Sequence, residues 1–151
     1  PSTDRLYMIG GDESGLRGGT PGYPGEPQRM RGWIHIYEWD EWDRPMEVAR
    51  YEVPEAGTHN IWIDEENEIM YVGYYQGGLR IVDISGELLG DLYRQGREIA
   101  YFLPDDPQGF KANARRTWGT MPHKGVIFFS DNNSGLWAVR LAPESNGESE
   151  N

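Results

Sequence analysis

The 151-residue chain has no cysteine. Disulfides, thiolate metal sites and cysteine nucleophiles are thereby excluded. Positive charge is scarce: 14 Lys plus Arg stand against 25 Asp plus Glu, for a formal net charge of −11. Nucleic-acid binding needs clustered cations to neutralise phosphates, so that class is set aside. Charge-driven docking on an anionic lipid surface is set aside for the same reason. No apolar run approaches the ~18–20 residues of a membrane-spanning helix, so no transmembrane segment is expected. Catalytic signatures are missing too. The glycines at 10, 11 and 15 follow a strand-like run, but no GK[ST] or G-x-G-x-x-G is there, and Pro21 and Pro24 stop any following helix. No G-x-S-x-G elbow occurs. The chain starts at Pro1 without a leader pattern, which suggests a processed chain or a segment of a longer one.

What is present is glycine, proline and short β-rich runs. Twenty Gly and ten Pro rule out a mostly helical fold. Strands are expected at 6–9, 33–39, 48–53, 60–64, 69–75, 79–84, 99–103, 117–121, 126–129 and 136–141, each bounded by Gly, Pro, Asn or Asp. Residues 85–97 have room for one or two helical turns, but Gly86, Gly90 and Gly96 forbid a long helix. Residues 10–32, with eight Gly and three Pro, read as one long loop, and 104–116 as another. The 143–151 tail is polar and acidic, and reads as disordered.

The strands recur as a unit. LYMIGG…GWIHIYEW, IMYVGYYQGGLRIVDIS and VIFFSDNNSGLWAVRL each place a Gly-bearing turn or loop between two apolar runs. Tyr71 aligns with Phe128, Gly78 with Gly135, Leu79 with Leu136 and Val82 with Val139. Tyr7, Tyr71 and Phe128 follow at intervals of 64 and 57 residues, longer than the ~40–45 of a WD-type propeller blade. The long loops account for the excess. IMYVGYY and LRIVDI are apolar on both sides of the strand, as expected when one small sheet is stacked between two others. The resulting fold class is all-β: a partial β-propeller of about two and a half four-stranded antiparallel blades over 1–142. Counting strands A to D outward, 5–56 supplies B-C-D, 57–104 a full blade and 115–141 A-B-C. Propellers close with about four to eight blades. The flanks are therefore expected to be covered by missing blades or by other protein chains. A complete ten-stranded β-sandwich is the competing architecture.

The runs YVGYYQGGLRIVDISGEL, GDLYRQGREIA and WGTMPHKGVIFFSDNNSGLWAVRL resemble the C-terminal blades of LVIVD-repeat proteins, with Leu79-Arg80-Ile81-Val82-Asp83-Ile84 as a variant of the name-giving motif. The resemblance covers 57–141 well and 5–56 less closely. It implies a propeller and an exported bacterial setting, periplasmic or at the cell surface. It supplies no catalytic residues.

Propeller geometry puts the B–C and D–A loops on one face. Loops 10–32 and 104–116, His59 and the turn 131–135 are expected together there, and loops on a rigid scaffold are where binding usually sits. Tyr23, His59, Phe110, Arg115 and Arg116 are the candidate binding residues. Trp39 and Trp42, in a C–D turn, are candidates for a second exposed contact. His35 reads as a packed strand residue. His59 and His123 fall at opposite ends of their strands, too far apart for the three or four close ligands of a zinc site. Asp131 to Gly135 reads as a hairpin turn rather than a calcium loop. No cofactor or metal is expected. The functional expectation is a non-enzymatic binding or scaffolding module of the bacterial envelope. One specific form is a membrane-extrinsic accessory subunit docked on a respiratory or photosynthetic complex. The alternative is a calcium-dependent propeller hydrolase or lactonase.

Overall fold

The structure, a computed structural model, describes residues 6–13, 32–39 and 44–142. Tyr23, Trp42, most of loop 10–32 and the 143–151 tail lie outside the described residues. Among the described residues there are eleven strands and no helix. They are β1 (Tyr7–Gly11), β2 (Trp33–Trp39), β3 (Pro45–Glu52), β4 (Ile61–Asp64), β5 (Ile69–Gly73), β6 (Leu79–Asp83), β7 (Gly90–Asp91), β8 (Glu98–Phe102), β9 (Thr117–His123), β10 (Val126–Asp131) and β11 (Gly135–Val139). Three separate sheets result, ordered β1-β2-β3-β7, β4-β5-β6-β8 and β11-β10-β9. None closes on itself.

The ten expected strands are all present, with ends shifted by a few residues. β3 begins earlier, at Pro45, because a proline is tolerated as the first residue of a strand. Of the helical turns allowed for in 85–97, a single turn forms over 92–96, with the Gln95 amide on the Asp91 carbonyl, and it does not extend into a helix. Gly90 and Gly96 take positive φ, and the segment instead lays β7 parallel to β3, pairing Ala49 with Gly90 and Arg50 with Asp91. A strap within the second sheet's sequence is thus hydrogen-bonded to the first.

The second sheet is the buried one. Met70, Val72, Tyr74 and Val82 pack against Ile34, Ile36, Ala49 and Tyr51 of the first sheet, with Leu88 and Leu92 of the strap. Tyr71, Leu79 and Ile81 turn the other way, onto Ile127 and Phe129 of the third. Alternate residues of β5 and β6 therefore serve two different cores, which is why these strands are apolar throughout rather than alternating. The β5–β6 and β10–β11 pairs repeat each other at an interval of 57 residues. Met70↔Val82, Tyr71↔Ile81, Val72↔Arg80 and Gly73↔Leu79 match Ile127↔Val139, Phe128↔Ala138, Phe129↔Trp137 and Ser130↔Leu136.

The two junctions are made differently. Between the first and second sheets, the Tyr51 hydroxyl donates to Glu98, whose carboxylate also receives Arg80 Nη1 at 3.1 and 3.2 Å. Arg80 Nε donates to the Gly77 carbonyl at 2.8 Å, so the buried guanidinium is well partnered. Burial, then the Glu98 contact, hold the Tyr51 phenol far above its ordinary range. Between the second and third sheets the contact is aromatic. Phe102, Phe129 and Trp137 form a cluster with centroids 5.4–6.3 Å apart. At the rim of this junction Gly73 is required. A Cβ there would lie 2.0 Å from the Trp118 carbonyl oxygen.

Candidate functional site

All three sheets have their connecting loops joined at one end. The Asp12 amide donates to the Trp33 carbonyl, closing the neck of the long loop. The Gly32 amide donates to Ala56 and Thr58 Oγ1 to Asp12, tying that neck to the strand entering the second sheet. Tyr75, just past β5, exchanges two 3.1 Å backbone hydrogen bonds with Thr117 at the start of β9. The loop 104–116 rests on the turn after β10: Asn133 accepts from the Phe110 and Lys111 amides and donates to the Lys111 carbonyl.

Asp131 organises this end. It is buried, and its Oδ1 accepts from the Asn133 and Ser134 amides and the Ser134 hydroxyl. Its Oδ2 accepts from the Arg116 amide at 2.7 Å and from Thr117 Oγ1 at 3.2 Å. Residues 131–135 are therefore the hairpin turn expected of Asp, Asn and Gly, with Gly135 at φ 89°.

At the meeting point of the sheets stands a polar and aromatic cluster. The Tyr75 hydroxyl donates to Glu13 Oε1 at 2.5 Å, and His59 Nε2 is 3.7 Å from the same oxygen. The His59 ring stacks on Trp118 at 5.0 Å and 11°, and meets Tyr75 edge-on at 5.3 Å. Arg116 lies over the Tyr75 ring with Cζ 5.3 Å from its centroid. Burial, then the Glu13 bond, push the Tyr75 phenol up to about 12. Tyr75 also has φ 35°, a left-handed conformation that a bulky side chain adopts only where its surroundings impose it. Arg116 Nε is buried and has no hydrogen-bond partner among the described residues. An unmade bond of this kind costs about 1–3 kcal/mol.

His59 and Arg116 of the expected residues thus come together, joined through Tyr75. Arg115 does not join them: its Nε pairs with Asp105 at 3.0 Å inside the loop. Phe110 is at the same end, with its backbone fixed by Asn133 and its ring 99% exposed. Trp39 is at the far end of β2, opposite Pro45, and contributes nothing to this cluster. His123 closes β9 at the end away from Thr117. His35 is packed against its neighbours, as expected, with the Trp33 and Tyr37 rings on either side. It lies on the outer face of the first sheet, held at 3.1 Å by both Asp12 and Glu47. Glu13, Tyr75 and Trp118 were not singled out by the residue pattern. The available signal was the Tyr74-Tyr75 doublet running into Gln76-Gly77-Gly78, where a tight turn aims one of two tyrosines at the loop end.

Among the described residues no three His, Asp or Glu side chains converge as a metal site, and no helix is long and apolar enough to cross a membrane. No protein-family model matches the sequence, and no curated protein or solved structure matches it.

Proposed function

We propose that the protein is a non-enzymatic binding and scaffolding module: an open segment of β-propeller that presents its loop-bearing end to a protein partner in the bacterial envelope. Three features support the propeller. The β5–β6 hairpin is repeated in register by β10–β11, the middle sheet is buried on both faces, and the loops gather at one end. The LVIVD-like run Leu79–Ile84 supports the envelope setting. The most specific form is a membrane-extrinsic accessory subunit of a respiratory or photosynthetic complex.

One observation carries the binding role. Loop 104–116 is held by backbone and side-chain hydrogen bonds, yet it offers the whole Phe110 ring to solvent. An ordered, projecting aromatic at the end where the loops gather suits a protein contact, in which a few aromatic and Arg side chains carry most of the energy. The carboxylate of the cluster, Glu13, is already engaged by Tyr75, which suits structure rather than general-base chemistry.

The test places a photo-crosslinking residue at Phe110 or, at the opposite end of the sheets, at Met46. Adducts with a membrane-complex subunit from position 110 alone are expected. Phe110→Ala should abolish the same contact while changing stability by no more than about 0.5 kcal/mol. Equal adducts from both positions, or calcium-dependent lactone hydrolysis by the purified chain, would overturn the reading.

A further inference from the structure

The 57-residue repeat sets equivalent side chains in opposite environments. Tyr71, Leu79 and Ile81 lie on the face of the second sheet that the third sheet covers, and Leu79 is 1% exposed. Their counterparts Phe128, Leu136 and Ala138 lie on the outward face of the third sheet, because Ile127, Phe129 and Trp137 occupy the inward one. Nothing among the described residues covers them. Leu136 is 76% exposed, and Met121, directly across from Phe128, is 55% exposed. The next row pairs His123 with Val126. Asp131 is the one acidic residue in β9, β10 and β11, and it is turned inward, so this apolar face carries no carboxylate.

Among the described residues no other sheet covers the complementary face of the first sheet. Its inward side is Ile34, Ile36, Ala49 and Tyr51. Its outward side carries a column of Trp33, His35 and Tyr37, with Met8 opposite Tyr37. Glu52, Arg50 and Glu47 stand across from that column in order, and Asp12 closes it at the loop end. Three carboxylates against one guanidinium make this face acidic. The sheets of the chain stack with one polarity: the Tyr71 side of one receives the Phe129 side of the next. A face with the Tyr71-type residues, unpaired on the third sheet, therefore matches the face that the first sheet leaves outward.

We propose that two copies of this chain associate head to tail. The Met121–Phe128–Leu136 face of each docks on the Trp33–His35–Tyr37 face of the other. Head-to-tail contacts form a closed ring when the rotation closes. Two copies of three sheets give six, within the range of about four to eight at which radially stacked sheets close. This inference rests on reading the three sheets as consecutive blades.

Light scattering on the eluting full chain should give twice the mass of one chain. Leu136→Glu with Met121→Glu blocks one face, and Met8→Arg with Tyr37→Ser the other; each double variant alone should be monomeric. Mixed together, they retain one intact contact and should form a dimer with higher dissociation constant than the parent. A dimer persisting in either variant alone would mean pairing by like faces and would overturn the proposal. A monomeric parent chain would also overturn it, and would assign the bare faces to other chains. Amide exchange distinguishes loss of the dimer from loss of the stacked sheets. A monomer with slow exchange across β5 and β6 leaves the stacked sheets standing, whereas a monomer with fast exchange there removes the blade reading as well.

Discussion

The first and second sheets meet over a polar lock within a core of aliphatic side chains and the Tyr51–Tyr74 pair, whereas the second and third meet over the Phe102, Phe129 and Trp137 rings. Arg80, Glu98 and the Tyr51 hydroxyl satisfy one another only in one alignment of the two sheets. Phe102, Phe129 and Trp137 fill volume and have no such directional demand beyond the bond from Trp137 Nε1 to Ser134 Oγ. The contrast teaches that repeated hairpins need not use repeated glue. Arg80 and Trp137 occupy the same place in the 57-residue repeat, one as a cation paired with Glu98 and one as a stacked indole.

Breaking the aromatic junction should have the largest effect. Phe129→Ala is expected to cost about 4 kcal/mol. Amides of β9–β11 should lose protection before those of β2 and β3, which hydrogen exchange would record. Breaking the polar lock comes next. Glu98→Ala leaves the buried Arg80 without its carboxylate, for about 3 kcal/mol of lost stability in denaturant titration. The triple change Tyr51→Phe, Arg80→Met, Glu98→Leu should recover most of that loss, since an apolar replacement of similar volume removes the desolvated charge. Gly73→Ala drives a methyl into the Trp118 carbonyl and is expected to cost about 2 kcal/mol through overpacking. It should also separate β5 from β9 at the loop end, visible as faster exchange of the Asn60 and Tyr75 amides.

The smallest effect sharpens the contrast on the outer face of the first sheet. Partial burial pulls the His35 pKa down, but hydrogen bonds and charge from Asp12 and Glu47 outweigh it, so the net shift is upward from 6.5. A raised folded-state pKa contributes stability that is complete below pH 6.5 and is lost as pH rises through the raised value. The facing charges are Asp12, Glu47 and Arg50. His35→Gln should flatten this dependence in unfolding midpoints taken on either side of that range. An equally steep profile in the variant would assign it to another group.

Most of the strand plan was legible because it rests on strong local signals. β-branched and aromatic runs end at Gly, Pro and Asx turns, and apolar residues on both sides of β5 and β6 marked the middle sheet. β7 was not legible: Gly90 and Asp91 carry no hydrophobic pattern, and only the partner strand β3 makes them a strand. The site was half legible. His59 and Arg116 followed from loop placement, but Tyr75 and Trp118 resemble core aromatics until the third sheet is set against the second. Arg115 and Arg116 are indistinguishable in sequence, and the Asp105 pairing separates them. His35 is packed between Trp33 and Tyr37 as its place in the strand suggests, but strand alternation alone does not say that Asp12 and Glu47 hold it.

The short parallel contact of β7 on β3 has a consequence for how the molecule comes apart. Residues on either side of it belong to the second sheet, so the first two sheets are stitched by one continuous thread. The third sheet is tied on by backbone hydrogen bonds only at the loop end of β9, through the Tyr75–Thr117 pair and the Asn60–Trp118 bond, and its last strand, β11, borders no further strand among the described residues. Under load or mild heat the molecule should therefore shed β11, then β10 and β9, and leave a two-sheet remnant that yields only as a whole.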